Sequence, residues 1–148
     1  MIELILFFVL LITGFVVGQS LEKAHYRSIK EREQVLNKLP AIATRKLPVE
    51  LEPCDTQLVC GNVVISVDYF KKFVAALRIL VGGRVISFES LIDRARREAL
   101  LRMKAQAQAL DADYVFNIKM ETSSISKGQR DTVGSVEVLA YGTAVIRR

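Results

Sequence analysis

The sequence predicts an α+β chain in which an N-terminal transmembrane helix and a helical stalk precede a small β-α-α-β-β domain. Three observations predict it. Residues 1–18 are almost wholly apolar. Residues 19–39 lack glycine and proline and are rich in helix formers. From residue 58 onward the apolar spacing alternates between strand-like and helix-like periods. The 148 residues hold one domain plus an appendage, divided as 1–18 span, 19–39 stalk, 40–57 linker or edge strand and 58–148 α/β domain.

The span "IELILFFVLLITGFVVG" carries one charge, Glu3, and its apolar run from Leu4 to Val17 is softened only by Thr13 and Gly14. A helix of this length reaches about 27 Å, against a hydrocarbon core of about 30 Å. The segment before the run, Met-Ile-Glu, has no Lys or Arg, which argues for a retained anchor over a cleaved signal peptide. Lys23, Arg27, Lys30 and Arg32 follow the span closely. Positive charge stays inside, so the expectation is a single-pass protein of the inner or plasma membrane, N-terminus out and domain cytoplasmic. The net charge of +5 suits a chain beside an anionic leaflet and is too small to imply nucleic acid. The stalk should continue the helix and stop before Pro40, giving one rod of about 55 Å.

Pro40, Pro48 and Pro53 mark the linker. "LVCGNVVIS" then reads as a strand. In "VDYFKKFVAALRILV", Phe70, Phe73, Val74, Leu77 and Val81 fall at helical spacing. Gly82 and Gly83 follow and are expected to end that helix. The competing reading is a backbone nest in which Gly82, Gly83 and Arg84 grip an anion, but a phosphate loop needs a preceding strand and Gly-Lys-Ser/Thr, both missing here. Ser90 to Asp93 resembles a capping box that opens the longest helix. Its apolar face is Phe88, Leu91, Ile92, Ala95, Ala99, Met103, Ala107 and Leu110. Asp93–Arg97, Arg94–Glu98 and Glu98–Arg102 are expected to pair along the other face. The run "LDAD" ends it, with Asp111 in a left-handed cap; Asp111 and Asp113 are poorly placed for acid–base work.

"YVFNIKME" alternates cleanly, with Tyr114, Phe116, Ile118 and Met120 on one face. A loop leads to "SVEVLAYGTAVIRR", a strand apolar on both sides. Val136, Val138, Ala140, Ala144 and Ile146 share one face, while Leu139, Tyr141 and Val145 share the other. One helical layer covers one side only, so the other needs another subunit or the stalk. Leu139, Tyr141 and Val145 are therefore the candidate oligomer interface.

The stretch from Gly61 to "KMET", with its double glycine, Phe88-Glu89 pair, "ALDAD" turn and closing "YGTAV", resembles the YbjQ-like family. That family is uncharacterised and carries the label "putative heavy-metal-binding domain". The span and stalk look like those of an anchored branch of it. The resemblance implies strands with two helices on one face, in an antiparallel or mixed sheet, and a ring-forming homopentamer. It also implies a heavy metal as the ligand to test, divalent or soft.

The candidate ligands are His25, Cys54, Asp55 and Cys60, of which His25, Cys54 and Cys60 are the ones to test. Zinc sites want Cys-x₂₋₄-Cys pairs and four donors, which this spacing misses. Five copies of Cys60 around a ring would suit a soft ion; a small buried thiol in a strand is the plainer expectation. His25 is the one histidine and lies beside the membrane, so Ser-His or Cys-His nucleophilic catalysis lacks its base. The arginines of the long helix, Arg94, Arg96, Arg97 and Arg102, with Lys104, are of a kind that binds nucleic acid or lipid head groups, but they lack interleaved aromatics and read rather as a solvated, salt-bridged face. The sequence thus points to a membrane-anchored structural or binding ring of unknown ligand without catalysis. The rivals are a heavy-metal sensor or chaperone, and a ring with a ligand or enzymatic site between subunits.

Overall fold

The computed structural model describes residues 2–46, 54–66, 86–125 and 135–147. The helix expected over 67–81, and Gly82, Gly83 and Arg84 after it, lie outside the described residues. Helix α1 (Ile2–Leu36) is continuous through span and stalk, since nothing in it breaks the backbone ladder. Its 35 residues reach about 52 Å.

Strands β1 (Cys54–Ser66), β2 (Tyr114–Ile125) and β3 (Ser135–Arg147) form an antiparallel sheet in the order β1-β3-β2, with β3 central. Helix α2 (Ile86–Ala109) packs on one face of it. β1 begins at Cys54, earlier than the expected Leu58, because β3 offers a partner along its whole length, from Cys54↔Arg147 to Ser66↔Ser135. β2 likewise runs past the expected loop start to Ile125. The "irregular edge strand" reading of the linker applies to residues 40–44. There Ala41 bridges Val115 in parallel, and Ile42 N–H donates to the Val115 carbonyl at 2.9 Å.

The core is the sandwich between α2 and the sheet. Leu91, Ala95, Ala99, Met103 and Ala107 meet Val59, Val63, Val115, Val136, Val138, Ala140 and Ala144. This is the helix face that the spacing predicted. The α2 start is not. The backbone is already helical at Ile86, so Ser90 lies within the first turns and the capping-box expectation is corrected. The end of α2 is a Schellman motif. Asp111 takes φ 54°, its N–H donates to the Gln108 carbonyl at 3.0 Å, and Ala112 N–H donates to the Ala107 carbonyl at 3.1 Å.

The clean alternation of β2 is also corrected. Asn117 sits at φ 53°, and the register shifts between Phe116 and Lys119. A bulge inserts one extra residue and flips the faces beyond it. Val115 and Ile118 reach the core, while Phe116 and Lys119 lie opposite Thr143 and Tyr141 on the other face. Asn tolerates the left-handed region better than other non-glycine residues, so it is the residue that takes the bulge.

Candidate functional site

The even-numbered positions of β1 point away from α2. Their partners on β3 are Leu58↔Thr143, Cys60↔Tyr141, Asn62↔Leu139 and Val64↔Glu137. Leu58 is 68% exposed and Val64 54% exposed. Leu139, Tyr141 and Phe116 are half-buried on the same face. The stalk does not cover this face. Of the predicted interface residues, Leu139 and Tyr141 are available to a neighbour. Val145 is corrected: it is fully buried within the single chain, where both flanking strands close over the end of β3.

The stalk instead lies along the flank of α2. Ile29, Leu36 and Leu101 make a small apolar seam. Two crossed ion pairs frame it. Arg97 reaches Glu33 through Nε at 2.7 Å and a second nitrogen at 2.5 Å. Arg32 grips the Glu98 carboxylate with both terminal nitrogens. Arg102 Nε adds a third donor to Glu98 at 3.0 Å, and His25 Nε2 stands 3.9 Å away. Glu98 is only 4% exposed. Burial pushes its carboxyl up, but the hydrogen bonds from Arg32 and Arg102 outweigh that and hold it below the usual carboxylate range. The Arg97 hydrogen bonds, ahead of opposing burial, hold Glu33 low as well. Burial pushes the Lys104 ammonium down, with Glu33 opposing, and its Nζ donates to the Leu36 carbonyl at 3.3 Å. α1 has no basic residue in its own last turn, so α2 supplies the cation that its carbonyl end favours.

The expected solvated basic face of α2 is therefore mostly a clasp on the stalk. Of the expected pairs, Asp93–Arg97 forms at 3.9 Å and Glu98–Arg102 at 3.0 Å. Glu98 turns to Arg32 and Arg102, and Arg94 instead lies over the Tyr26 ring at 6.0 Å. Helix spacing alone offers i,i+4 partners; it does not say that another helix will compete for them.

The metal candidates do not converge. Cys54 and Cys60 stand six positions apart on one strand, about 20 Å along it. Cys60 is exposed, not the buried thiol expected, and its N–H donates to Gln106 Oε1 at 2.7 Å. His25 belongs to the Glu98 cluster on the stalk. Among the described residues no three His, Cys, Asp or Glu side chains gather as a metal site. Asp111 and Asp113 are structural: Asp113 accepts from Arg147 N–H at 3.1 Å and pins the end of β3.

Residues 53–148 match the model of the YbjQ family, described as "Putative heavy-metal-binding". The match starts earlier than the Gly61 where the sequence resemblance was placed, and it leaves α1 outside. A protein of Thermotoga petrophila named UPF0145 is 40% identical over 88 residues, 60% of this chain and 77% of its own length. A UPF0145 protein of Methanococcus maripaludis is also 40% identical over 88 residues, 73% of its length. A solved structure of a protein of unknown function from the DUF74 family of Pediococcus pentosaceus shares 12% identity at a TM-score of 0.48, covering 74% of this chain and 98% of its own.

Proposed function

The chain belongs to the YbjQ family, and from that premise we propose that it is a membrane-anchored member that assembles as a homo-oligomeric ring and serves as a structural or binding module without catalysis. The observation that carries this reading is a pair of apolar surfaces that the described residues leave exposed. The first is the N-terminal part of α1, whose apolar window has no residue buried against the rest of the chain. The second is the outer sheet face around Leu58, Val64, Leu139 and Tyr141. A bilayer suits the first, by length and by composition. A second copy suits the second, because a contact of one sheet face with a different patch of its neighbour repeats and forms a ring where its rotation closes. The basic residues behind the span favour a cytoplasmic domain.

A heavy-metal role, drawn from the family's description, has one observation in its favour. Cys60 is exposed on the face offered to neighbours, opposite Tyr141. Such a site would take its thiolates from several copies.

Topology is tested on intact cells. A cysteine introduced at Gln108, in a background with Cys54→Ser and Cys60→Ser, should label with a membrane-impermeant maleimide only after lysis. Equal labelling before lysis reverses the orientation. Intact mass of the membrane fraction should show residues 1–18 retained, and a chain starting near Gln19 removes the anchor.

A further inference from the structure

The junction of stalk and domain forms an open cavity of about 460 Å³, within the range of small-ligand sites. Gly18, Leu21, Glu22 and His25 line it from α1. Their spacing puts them on one face of the helix. Ile65 and Leu91 add apolar wall, and Arg94 and Arg102 add guanidinium groups. Two nitrogens of the lining residues, His25 Nδ1 and Arg94 Nε, are buried with no hydrogen-bond partner. Buried polar atoms in native proteins nearly always have one.

We propose that this cavity binds the phosphate of an anionic phospholipid headgroup, a reading that rests on the membrane anchoring proposed above. Height along α1 selects the ligand. Gly18 ends the apolar span, and His25 lies seven residues on, about 10 Å higher. The headgroup layer on each side of a bilayer is about 5–7 Å deep. The cavity thus begins at the hydrocarbon boundary and crosses the layer where lipid phosphates sit. Its wall has the matching polarity, with Leu21, Ile65 and Leu91 apolar and the arginines cationic. Of the lining residues, Arg94 and Arg102 are cationic against the one carboxylate of Glu22, while Glu98 beside the wall is shared by Arg102 and Arg32. The Arg94 guanidinium in the wall offers N–H donors in a planar fork that suits a phosphate oxygen. His25 Nδ1 is a second unpartnered nitrogen beside it, and His25 Nε2 stands 3.9 Å from Glu98.

The test uses the full chain in detergent, titrated with phosphatidylglycerol or phosphatidylcholine and read by native mass spectrometry for lipid retained. Phosphatidylglycerol should be retained about tenfold better, the equivalent of about 1.4 kcal/mol. Arg94→Gln should abolish the preference, Arg94→Lys should keep most of it, and Arg96→Gln, exposed and outside the cavity, should leave it intact. Should Arg94→Gln fail to fold, Glu22→Gln decides. Increased retention on losing that carboxylate upholds the site, and unchanged retention overturns it. Equal retention of both lipids, or a preference that survives Arg94→Gln, also overturns it. Displacement of phosphatidylglycerol by millimolar inorganic phosphate identifies a soluble-anion site and overturns the lipid assignment. Carbonate extraction of the same membranes tests the premise separately. A chain released by carbonate sinks the anchoring, whereas a chain that stays with the bilayer and shows no headgroup preference sinks the pocket alone.

Discussion

At position 61 a side chain of any size would meet backbone. A Cβ there would lie 2.3 Å from the Ala99 carbonyl oxygen and 2.4 Å from the Met103 nitrogen. Glycine in β1, opposite Ala99 and Met103 of α2, lets strand and helix approach this closely. Neither backbone atom can move without shifting the helix. Gly61→Ala should therefore destabilise the domain by about 1–3 kcal/mol, or more, through overpacking. Thermal unfolding of the full chain in detergent measures it, and an unchanged midpoint would show that the two elements have room. A second residue-scale expectation concerns Glu98. Its carboxylate is buried, while the side chains of Arg32 and Arg102 are 40% and 52% exposed. Losing an arginine strands a buried charge; losing the acid frees arginines that can turn to water. Arg32→Met should cost about 3 kcal/mol, toward the low end for a broken buried pair because Arg102 remains. Arg32→Met/Glu98→Met should recover most of that loss. A double variant as unstable as the single would mean that packing, and not the stranded charge, sets the cost. Neither residue-scale constraint was legible in the sequence. Gly61 reads as an ordinary glycine inside an apolar strand, and Glu98 reads as one member of an exposed i,i+4 ladder.

The elements themselves were more legible, for a physical reason. The period of apolar residues states which face of an element is covered, so the α2 core face and the inward face of β3 follow from spacing. Spacing fails where the backbone changes phase. The bulge at Asn117 exchanges the faces of β2, and one Asn in a strand is a faint signal of it. Spacing also does not report what lies across an element, and here that is the stalk. The clasp of α1 on α2 depends on Glu33 and Glu98, both held below the ordinary carboxylate range. Groups depressed in this way stabilise fully above their unfolded value, about 4.3 for Glu, and lose that contribution as pH falls through the folded values. Acidification from about pH 7 to about pH 3 should loosen the stalk before the sheet unfolds. Spin labels at Gln34→Cys and Gln108→Cys, with Cys54 and Cys60 replaced by Ser, read the separation of the two helices. The distance distribution should be narrow at neutral pH and broad in acid. A distribution that stays narrow while far-ultraviolet dichroism is native would show that the apolar seam of Ile29, Leu36 and Leu101 holds the clasp unaided.

At the scale of the molecule, the stalk changes what can be asked of the domain. Ile29 and Leu36 are buried against Leu101, and Leu39 belongs to the main core. A fragment beginning at residue 41 would expose these surfaces, so assembly is to be tested on the full chain. The face that remains open is the sheet. Exposed apolar patches of this kind mark interaction sites more often than bare surface. Covering a large, exposed apolar side chain contributes about 1.5–3 kcal/mol, and less for the half-buried Leu139 and Tyr141, so burial of this face favours the proposed association against its ordering costs. A charge placed among them reverses the sign of that term, since a carboxylate would be desolvated without a partner. Under the proposed ring assembly, for which the family resemblance implies five copies, Tyr141→Glu and Leu58→Glu should therefore give monomers. Val145→Ala separates the two roles of β3. Its side chain is buried within one chain, so its loss should lower the melting temperature and leave the copy number unchanged. Native mass spectrometry in detergent counts the copies in each case. A monomer in the unaltered chain, or a ring indifferent to Tyr141→Glu and Leu58→Glu, would place the contact elsewhere and leave the open sheet face for a different partner.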